Sequence, residues 1–370
     1  MNSYEKLYKR TIIIGFTLFL ISILILNTIN VDVNFSELEN RKLEQKPQFS
    51  FNKLLFDDYT SDFEKYISDQ FIGRNLWIGL KSSADRILGK KDSNGVFLGK
   101  DNYLIQKFSA PSEDMLDKKV REINSLATSL PSVNKYFMLV PNSAEILEEK
   151  LPDNAPVDEQ LVYIHKVKVS LNDSIKFVGV YDTLYSKKDE YIFYKTDHHW
   201  TTKGAYYAYK RLAATLGITP NTEDYYNITD VTDNFYGSLY SKGNFRHIPP
   251  DYIEIYKPKR NENIKVEYVE ENKTANTLYE MDNLNKKDKY TVFFNGNHPL
   301  IKITSNAGTH KKLLIIKDSY ANSLVPFLTA HYDEIYMVDP RYYSEDIKEL
   351  ANSKGIDDLV ILYNTISFFE

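Results

Sequence analysis

Leu313-Leu314-Ile315-Ile316-Lys317-Asp318-Ser319-Tyr320-Ala321-Asn322-Ser323 is the stretch from which the fold is read. A short apolar run reads as a buried strand, and the polar Asp-Ser step before Leu324, Val325, Phe327 and Leu328 reads as a helix start. Ser319 then sits at the carboxyl end of a strand. In open α/β sheets ligands bind at that edge, and free N–H groups of the following helix can stabilise an oxyanion. An ordinary helix cap, which Asp and Ser also favour, explains the step equally well on its own.

Strand and helix patterns alternate on either side of this run. Strand-like segments are Tyr136 to Val140, Lys176 to Val180, Ile335 to Val338 and Leu359 to Tyr363, with helical stretches near 112–129 and 157–169. Such alternation predicts an α/β domain over 111–370, a parallel sheet flanked by helices. The segment from about 217 to 310, rich in Asn, Tyr and Lys, interrupts the rhythm and is expected to be an insertion that shapes a groove.

A second polar run, Thr196-Asp197-His198-His199-Trp200-Thr201, precedes a helix-like stretch. If it is extended, Asp197 and His199 share a face and His198 points the other way. An imidazole oriented by a carboxylate is the base that serine acyl transfer requires. A polar turn capping the next helix, with Trp200 in the core, is the bland reading of the same residues.

The chain resembles the bacterial DHHW proteins, which are similar to alginate O-acetyltransferases of the AlgX and AlgJ type. The Asp197-His198-His199-Trp200 run carries most of this resemblance. Glu39-Asn40-Arg41-Lys42-Leu43 with Pro47, Gly95 to Lys100, Val140-Pro141-Asn142, Phe235 to Leu239 and Gly296 to Leu300 extend it over nearly all of the chain beyond its first thirty residues. It implies an SGNH-hydrolase-like fold in which the Asp-x-His-Trp motif precedes the serine. It also implies Ser319 as nucleophile, His199 as base and Asp197 as orienting acid. His198 departs from the single His of the alginate enzymes. No block fixes the oxyanion donors, for which Asn322, Asn142 and Asn364 are candidates. Lys317 stands where many SGNH sequences carry Gly.

Composition bounds the setting. The 370 residues are 42% hydrophobic and 26% charged, enough for one large or two modest cores. With no Cys, neither a disulfide nor a thiolate metal site can form. A net charge of −5, without a basic arm or Gly-rich phosphate loop, argues against nucleic acid. No cofactor is expected. A metal site drawing on Asp197, His198, His199 and His298 lacks a telling ligand spacing.

Near the N-terminus, Thr11 to Ile29 is almost wholly apolar and follows Lys6, Lys9 and Arg10. That predicts a transmembrane helix over 11–29, with 1–10 cytoplasmic and the rest delivered outside. Leu26 to Asn30 offers no small-residue cleavage site, so the segment reads as an uncleaved, single-pass anchor in the cell membrane. Residues 30–110 read as a membrane-proximal helical region. Phe51, Leu54, Leu55, Tyr59, Phe63 and Tyr66 mark one helix there, and Leu76, Leu80, Ala84 and Leu88 another, before a turn at 92–95 and a short strand at 96–98.

Weaker candidates remain. Trp200, Tyr236 and Tyr320 are candidate substrate contacts, and His298 a secondary site residue; the 29 tyrosines suit sugar stacking and core packing alike. The combined reading is a membrane-anchored O-acetyltransferase of a cell-envelope or secreted polysaccharide. The family resemblance implies a membrane-bound O-acyltransferase partner as acyl source. An acetyl esterase with the same three residues, or a non-catalytic polysaccharide-binding export scaffold, are the alternatives.

Overall fold

The structure is a computed structural model that describes residues 3–36, 41–48, 58–260 and 263–370. Glu39, Asn40, Phe51, Leu54 and Leu55, used in the sequence reading, lie outside the described residues. The chain divides into two compact units, 1–90 with 244–246, and 91–243 with 247–370.

In the first unit a single helix, α1 (Ser3–Ile29), is followed by α2 (Asp58–Gln70) and α3 (Arg74–Ile87). Among the described residues, 4–29 is the one helix long and apolar enough to cross a membrane, and it fits a single-pass anchor. Asp69 on α2 accepts both Arg41 Nη1 and Nη2, at 2.8 and 2.6 Å, and lies 3.4 Å from Arg74 Nη2. Leu76, Trp77 and Leu80 of α3 stay exposed, so the apolar row seen in the sequence covers no core within its own unit.

The second unit opens with β1 (Asp92–Ser93), β2 (Val96–Leu98) and β3 (Leu104–Gln106), an antiparallel sheet. These strands, expected within the membrane-proximal region, fold instead with the second unit. Val96, Phe97, Leu104 and Ile105 are fully buried, and Leu104 N donates to Lys195 O just before the second polar run.

The central sheet takes β4 (Asn134–Val140), β5 (Ile175–Phe177), β8 (Lys265–Tyr268), β9 (Lys273–Ala275), β10 (Leu300–Thr304), β11 (Lys312–Lys317), β12 (Glu334–Val338) and β13 (Asp358–Asn364). Its order is β9-β8-β10-β12-β11-β13-β4-β5. From β12 to β5 neighbours run parallel, whereas β9, β8 and β10 join antiparallel. The parallel sheet expected from the alternation is therefore a mixed one. The insertion expected to shape a groove extends the sheet beyond β12. β6 (Tyr226–Phe235) and β7 (Asp251–Pro258) form a separate hairpin within it.

Alternation along each strand feeds two cores. Leu313, Ile315, Val360, Leu362, Met138 and Met337 pack on one face, with α6 (Thr202–Leu216). Leu314, Ile316, Leu359, Ile361, Phe137 and Tyr336 pack on the other, under α4 (Glu113–Ser129), α5 (Gln160–Ser170), α7 (Ile347–Lys354) and α8 (Thr365–Phe369). Strands buried on both faces read as continuous apolar runs, which is why Leu313 to Ile316 shows no polar alternation. β5 ends at Phe177, short of the Val180 expected, although Val178 N still donates to Phe137 O.

Replacing Ile315, fully buried at the middle of β11, with Ala should lower unfolding stability by roughly 2–5 kcal/mol. A denaturant midpoint that falls with an unchanged slope would register it.

Candidate active site

Asp318 follows β11 directly, and its buried carboxylate shapes the turn that carries Ser319. It accepts Tyr320 N at 2.9 Å and Asn364 N at 2.7 Å, and Ser367 Oγ also donates to it. Ala321 N donates to Asp318 O and Asn322 N to Ser319 O. The amides expected to be free for an oxyanion are thus largely spent within the turn. Ser319 N–H donates to no described residue and is the open amide of the turn. The helix expected after Ser319 is two short turns, Ala321–Leu324 and Val325–Leu328, the second carrying Pro326 at its start.

The second polar run is a bend, not a strand. Asp197 Oδ1 accepts His199 N at 3.0 Å and lies 2.5 Å from His199 Nδ1, so one carboxylate oxygen closes the turn and holds the ring. Because the backbone bends, His198 does not point to the opposite face. Its ring centroid lies 3.8 Å from that of His199. Thr201 then caps α6, accepting Gly204 N at 3.2 Å.

The run is held in place from behind. Asp251, at the start of β7, accepts Lys195 N at 2.8 Å, Thr196 N at 2.7 Å and Thr196 Oγ1 at 2.6 Å, and Tyr191 OH also donates to it. Gly237 N donates to Thr196 Oγ1 at 3.0 Å and Ser238 N to Asp197 Oδ2 at 2.7 Å. A Cβ on Gly237 would lie 2.3 Å from the Asp197 side chain, so this close approach requires glycine.

These two loops meet. His199 Nε2 lies 2.7 Å from Ser319 Oγ. Trp200 Nε1 donates to Tyr320 O and Ser323 Oγ, each at 3.0 Å, and Tyr320 OH donates to His198 O. Tyr290 stacks on His199 at 3.7 Å and 8°, and its hydroxyl reaches Ser319 O at 3.2 Å and Ser323 Oγ at 3.1 Å. Tyr290 and His198 therefore flank the His199 ring. Tyr290 and Asp251 escaped the sequence reading, since neither lies in a motif and both belong to the Tyr- and Asn-rich insertion.

Electrostatics follow from this packing. Burial would raise the Asp197 carboxyl, but the neighbouring His199 and His198, and the hydrogen bonds from His199 and Ser238 N–H, outweigh it and hold it well below the usual carboxylate range. Burial first, and then the His199 charge, push His198 down to about 4. Burial raises the Asp318 carboxyl despite its hydrogen bonds.

Other candidates fall elsewhere. Trp200 and Tyr320 are buried, at 0% and 1% exposure, and bond to the opposite loop, so they hold the site together and cannot line it. Tyr236 is half-buried and packs on Tyr240, 4.6 Å between centroids. Asn322 presents its carbonyl to Lys317 Nζ at 2.9 Å and its amide to Asn297 Oδ1 at 3.1 Å, which leaves no donor aimed at Ser319. Lys317 is wholly buried, 3.7 Å from Asp339. Asn142 and Asn364 accept Ala144 N and Ile366 N as helix caps at the sheet's carboxyl edge. His298 Nδ1 pairs with Glu271. Asp197, His198 and His199 bring potential metal-ligating atoms within 4.8 Å of one another, but hydrogen bonds to Ser238, Ser319 and within the run already engage them.

Residues 89–338 match the family model described as DHHW protein, and the chain belongs to the DHHW family. It is similar to a DHHW family protein from Eubacterium siraeum, with TM-score 0.67 and 23% identity over 75% of this chain and 93% of the other. Bacillus cereus PatB1, solved with a sulfonyl adduct, is similar at TM-score 0.62 and 21% identity over 74% and 95%. The O-acetyltransferase domain of Pseudomonas putida AlgJ is similar at TM-score 0.47 and 15% identity over 74% and 92%. No curated protein sequence matches the chain.

Gly237→Ala should displace Asp197 and lower the rate of serine labelling by an active-site-directed probe at least roughly tenfold, since misplacing a catalytic group by about 1 Å costs on the order of 10²-fold. A second expectation concerns pH. The folded pKa of His198, about 4, lies below its ordinary 6.5, so the unfolded chain binds more protons in that window and stability falls as pH drops through it. Denaturation from pH 7 to 4 should show a shallower loss for His198→Gln than for wild type.

Proposed function

We propose that the chain is a membrane-anchored, extracytoplasmic O-acetyltransferase acting on a cell-envelope or secreted polysaccharide. The observation that carries this reading is the 2.7 Å approach of His199 Nε2 to Ser319 Oγ, with Asp197 2.5 Å from Nδ1 of the same ring. That geometry suits an activated serine nucleophile. Membership of the DHHW family, and the resemblance of its motif to alginate O-acetyltransferases, support acyl transfer to a polysaccharide.

In this mechanism His199 Nε2 takes the Ser319 proton as Oγ attacks the carbonyl carbon of an acetyl donor. Collapse of the tetrahedral adduct breaks the bond to the leaving oxygen, which receives the proton from His199, and leaves Ser319 acetylated. A sugar hydroxyl then attacks the acyl carbon while His199 takes its proton and passes it to Oγ as the serine leaves. Ser319 N–H is the turn amide open to the developing oxyanion. Asp197 keeps the imidazole in the Nδ1–H tautomer and stabilises it when protonated. The Tyr290 face adds cation–π stabilisation to the same imidazolium.

The apolar N-terminal helix, preceded by Lys6, Lys9 and Arg10, supports an anchor with its N-terminus inside and the site outside. An enzyme so placed meets a polymer as it leaves the membrane. A membrane-bound O-acyltransferase would bring acetyl groups to it from within.

A sulfonyl fluoride should label wild type at Ser319, and Ser319→Ala should abolish labelling while retaining the fold; Asp197→Asn should slow acetyl-ester turnover on the order of 10³–10⁴-fold. With an oligosaccharide acceptor, acetylated sugar should accumulate. Release of free acetate alone, whatever the acceptor, would turn the reading to an esterase, and absence of labelling would leave a non-catalytic scaffold.

A further inference from the structure

His198 is the polar ring of the site that the mechanism above leaves without a task. Its side chain is about one-third exposed, at 32%, and its Nδ1 lies 2.6 Å from Ser238 Oγ, on a residue open to solvent. The same Nδ1 is 3.7 Å from Asp197 Oδ1, while His199 Nδ1 is 2.5 Å from that oxygen. Both rings therefore set Nδ1 near one carboxylate oxygen, with centroids 3.8 Å apart and planes tilted by 37°, and in each ring Nε2 lies across from Nδ1. For His199 that direction leads to Ser319 Oγ. His198 Nε2 has no hydrogen-bond partner among the described residues.

The tautomer follows from charge. The Asp197 carboxylate beside Nδ1 favours a proton there, donated to Ser238 Oγ, which leaves Nε2 of His198 as an acceptor lone pair. Burial and the neighbouring His199 keep this ring neutral at physiological pH. Two imidazoles with centroids 3.8 Å apart then carry an acceptor nitrogen each. One hydroxyl is not enough to fill them. Carbohydrates carry hydroxyls on adjacent carbons, and such a pair spans neighbouring acceptors of this kind.

We propose that His198, oriented by Ser238, forms with His199 a subsite for a vicinal diol of the acceptor. The hydroxyl at His199 is the attacking one, and its neighbour donates to His198 Nε2. This rests on the acyl-transfer reading above and deepens it by specifying the acceptor. In the transfer step the first hydroxyl's oxygen bonds to the acyl carbon, its proton passes to His199, the carbon–Oγ bond breaks and the proton returns to Ser319. The second hydroxyl keeps its proton throughout and only positions the first. Water, lacking that second group, gains nothing from His198.

The test is a partition measurement on the full-length chain in detergent. With p-nitrophenyl acetate as donor, cyclohexane-1,2-diol and cyclohexanol compete with water for the acetyl-enzyme, and the ratio of ester to acetate is read for each. That ratio does not depend on how fast the acetyl-enzyme forms or on how much enzyme is active. Wild type should favour the diol, per hydroxyl, by roughly three- to tenfold, the range one neutral hydrogen bond allows. Ser238→Ala and His198→Gln should bring the preference close to one, and Ser238→Thr should restore it. An undiminished preference in both variants, or none in wild type, would overturn the subsite. Wild type that forms no acetyl-enzyme would instead overturn the acyl-transfer reading on which the subsite depends.

Discussion

The indole N–H of Trp200 joins two loops whose residues stand 120 positions apart, and the geometry of the site depends on that link. It is a buried bond from a single donor to the Tyr320 carbonyl and the Ser323 hydroxyl. Tyr320 returns a bond from the serine loop to His198 O, and Tyr290 bonds the serine turn while its ring lies on His199. In a buried setting these bonds strengthen one another, and each unmet group would cost the full loss of its solvation. The 2.7 Å approach of His199 to Ser319 is thus a consequence of packing around it.

The insertion is part of this machinery. It supplies Gly237 and Ser238, which wrap Asp197, Asp251, which ties down residues 195 and 196, and Tyr290, which covers the imidazole. Its strands β8, β9 and β10 continue the sheet that carries Ser319 and Tyr290 lies between β9 and β10, whereas Gly237, Ser238 and Asp251 are held by the separate β6–β7 hairpin. Rigid support of this kind is what an oriented base needs, because small displacements of a catalytic group are costly.

Several elements were legible along the chain because their cause is local. β11 and β13 announce themselves as apolar runs, and α4 as a helical stretch near 112–129. The Asp-Ser step was read as a strand end, which it is. Where the reading failed, a specific hydrogen bond decided, near in sequence or far, that no hydrophobic period reports. His198 was turned by a bend that Asp197 closes; Trp200 and Tyr320, read as substrate contacts, found hydrogen-bond partners on the opposite loop and sank into the core. Asn322 was committed by Lys317, and Asn142 and Asn364 by the helices they cap. No periodicity marks the insertion's strands as neighbours of β12, since β10 pairs antiparallel with a strand that β11 separates from it in sequence.

From residue order alone came the apolar N-terminal helix, the alternation that makes an α/β sheet, and the residue types able to carry acyl chemistry. Those depend on hydrophobic period and on side-chain identity, both properties of short windows. Tertiary structure alone decided that Ser319, His199 and Asp197 lie within hydrogen-bonding reach, that Tyr290 covers the base, and that His198 shares its side of the site. Distances between segments more than a hundred residues apart follow from burial and hydrogen-bond satisfaction over the whole fold, and no local pattern encodes them.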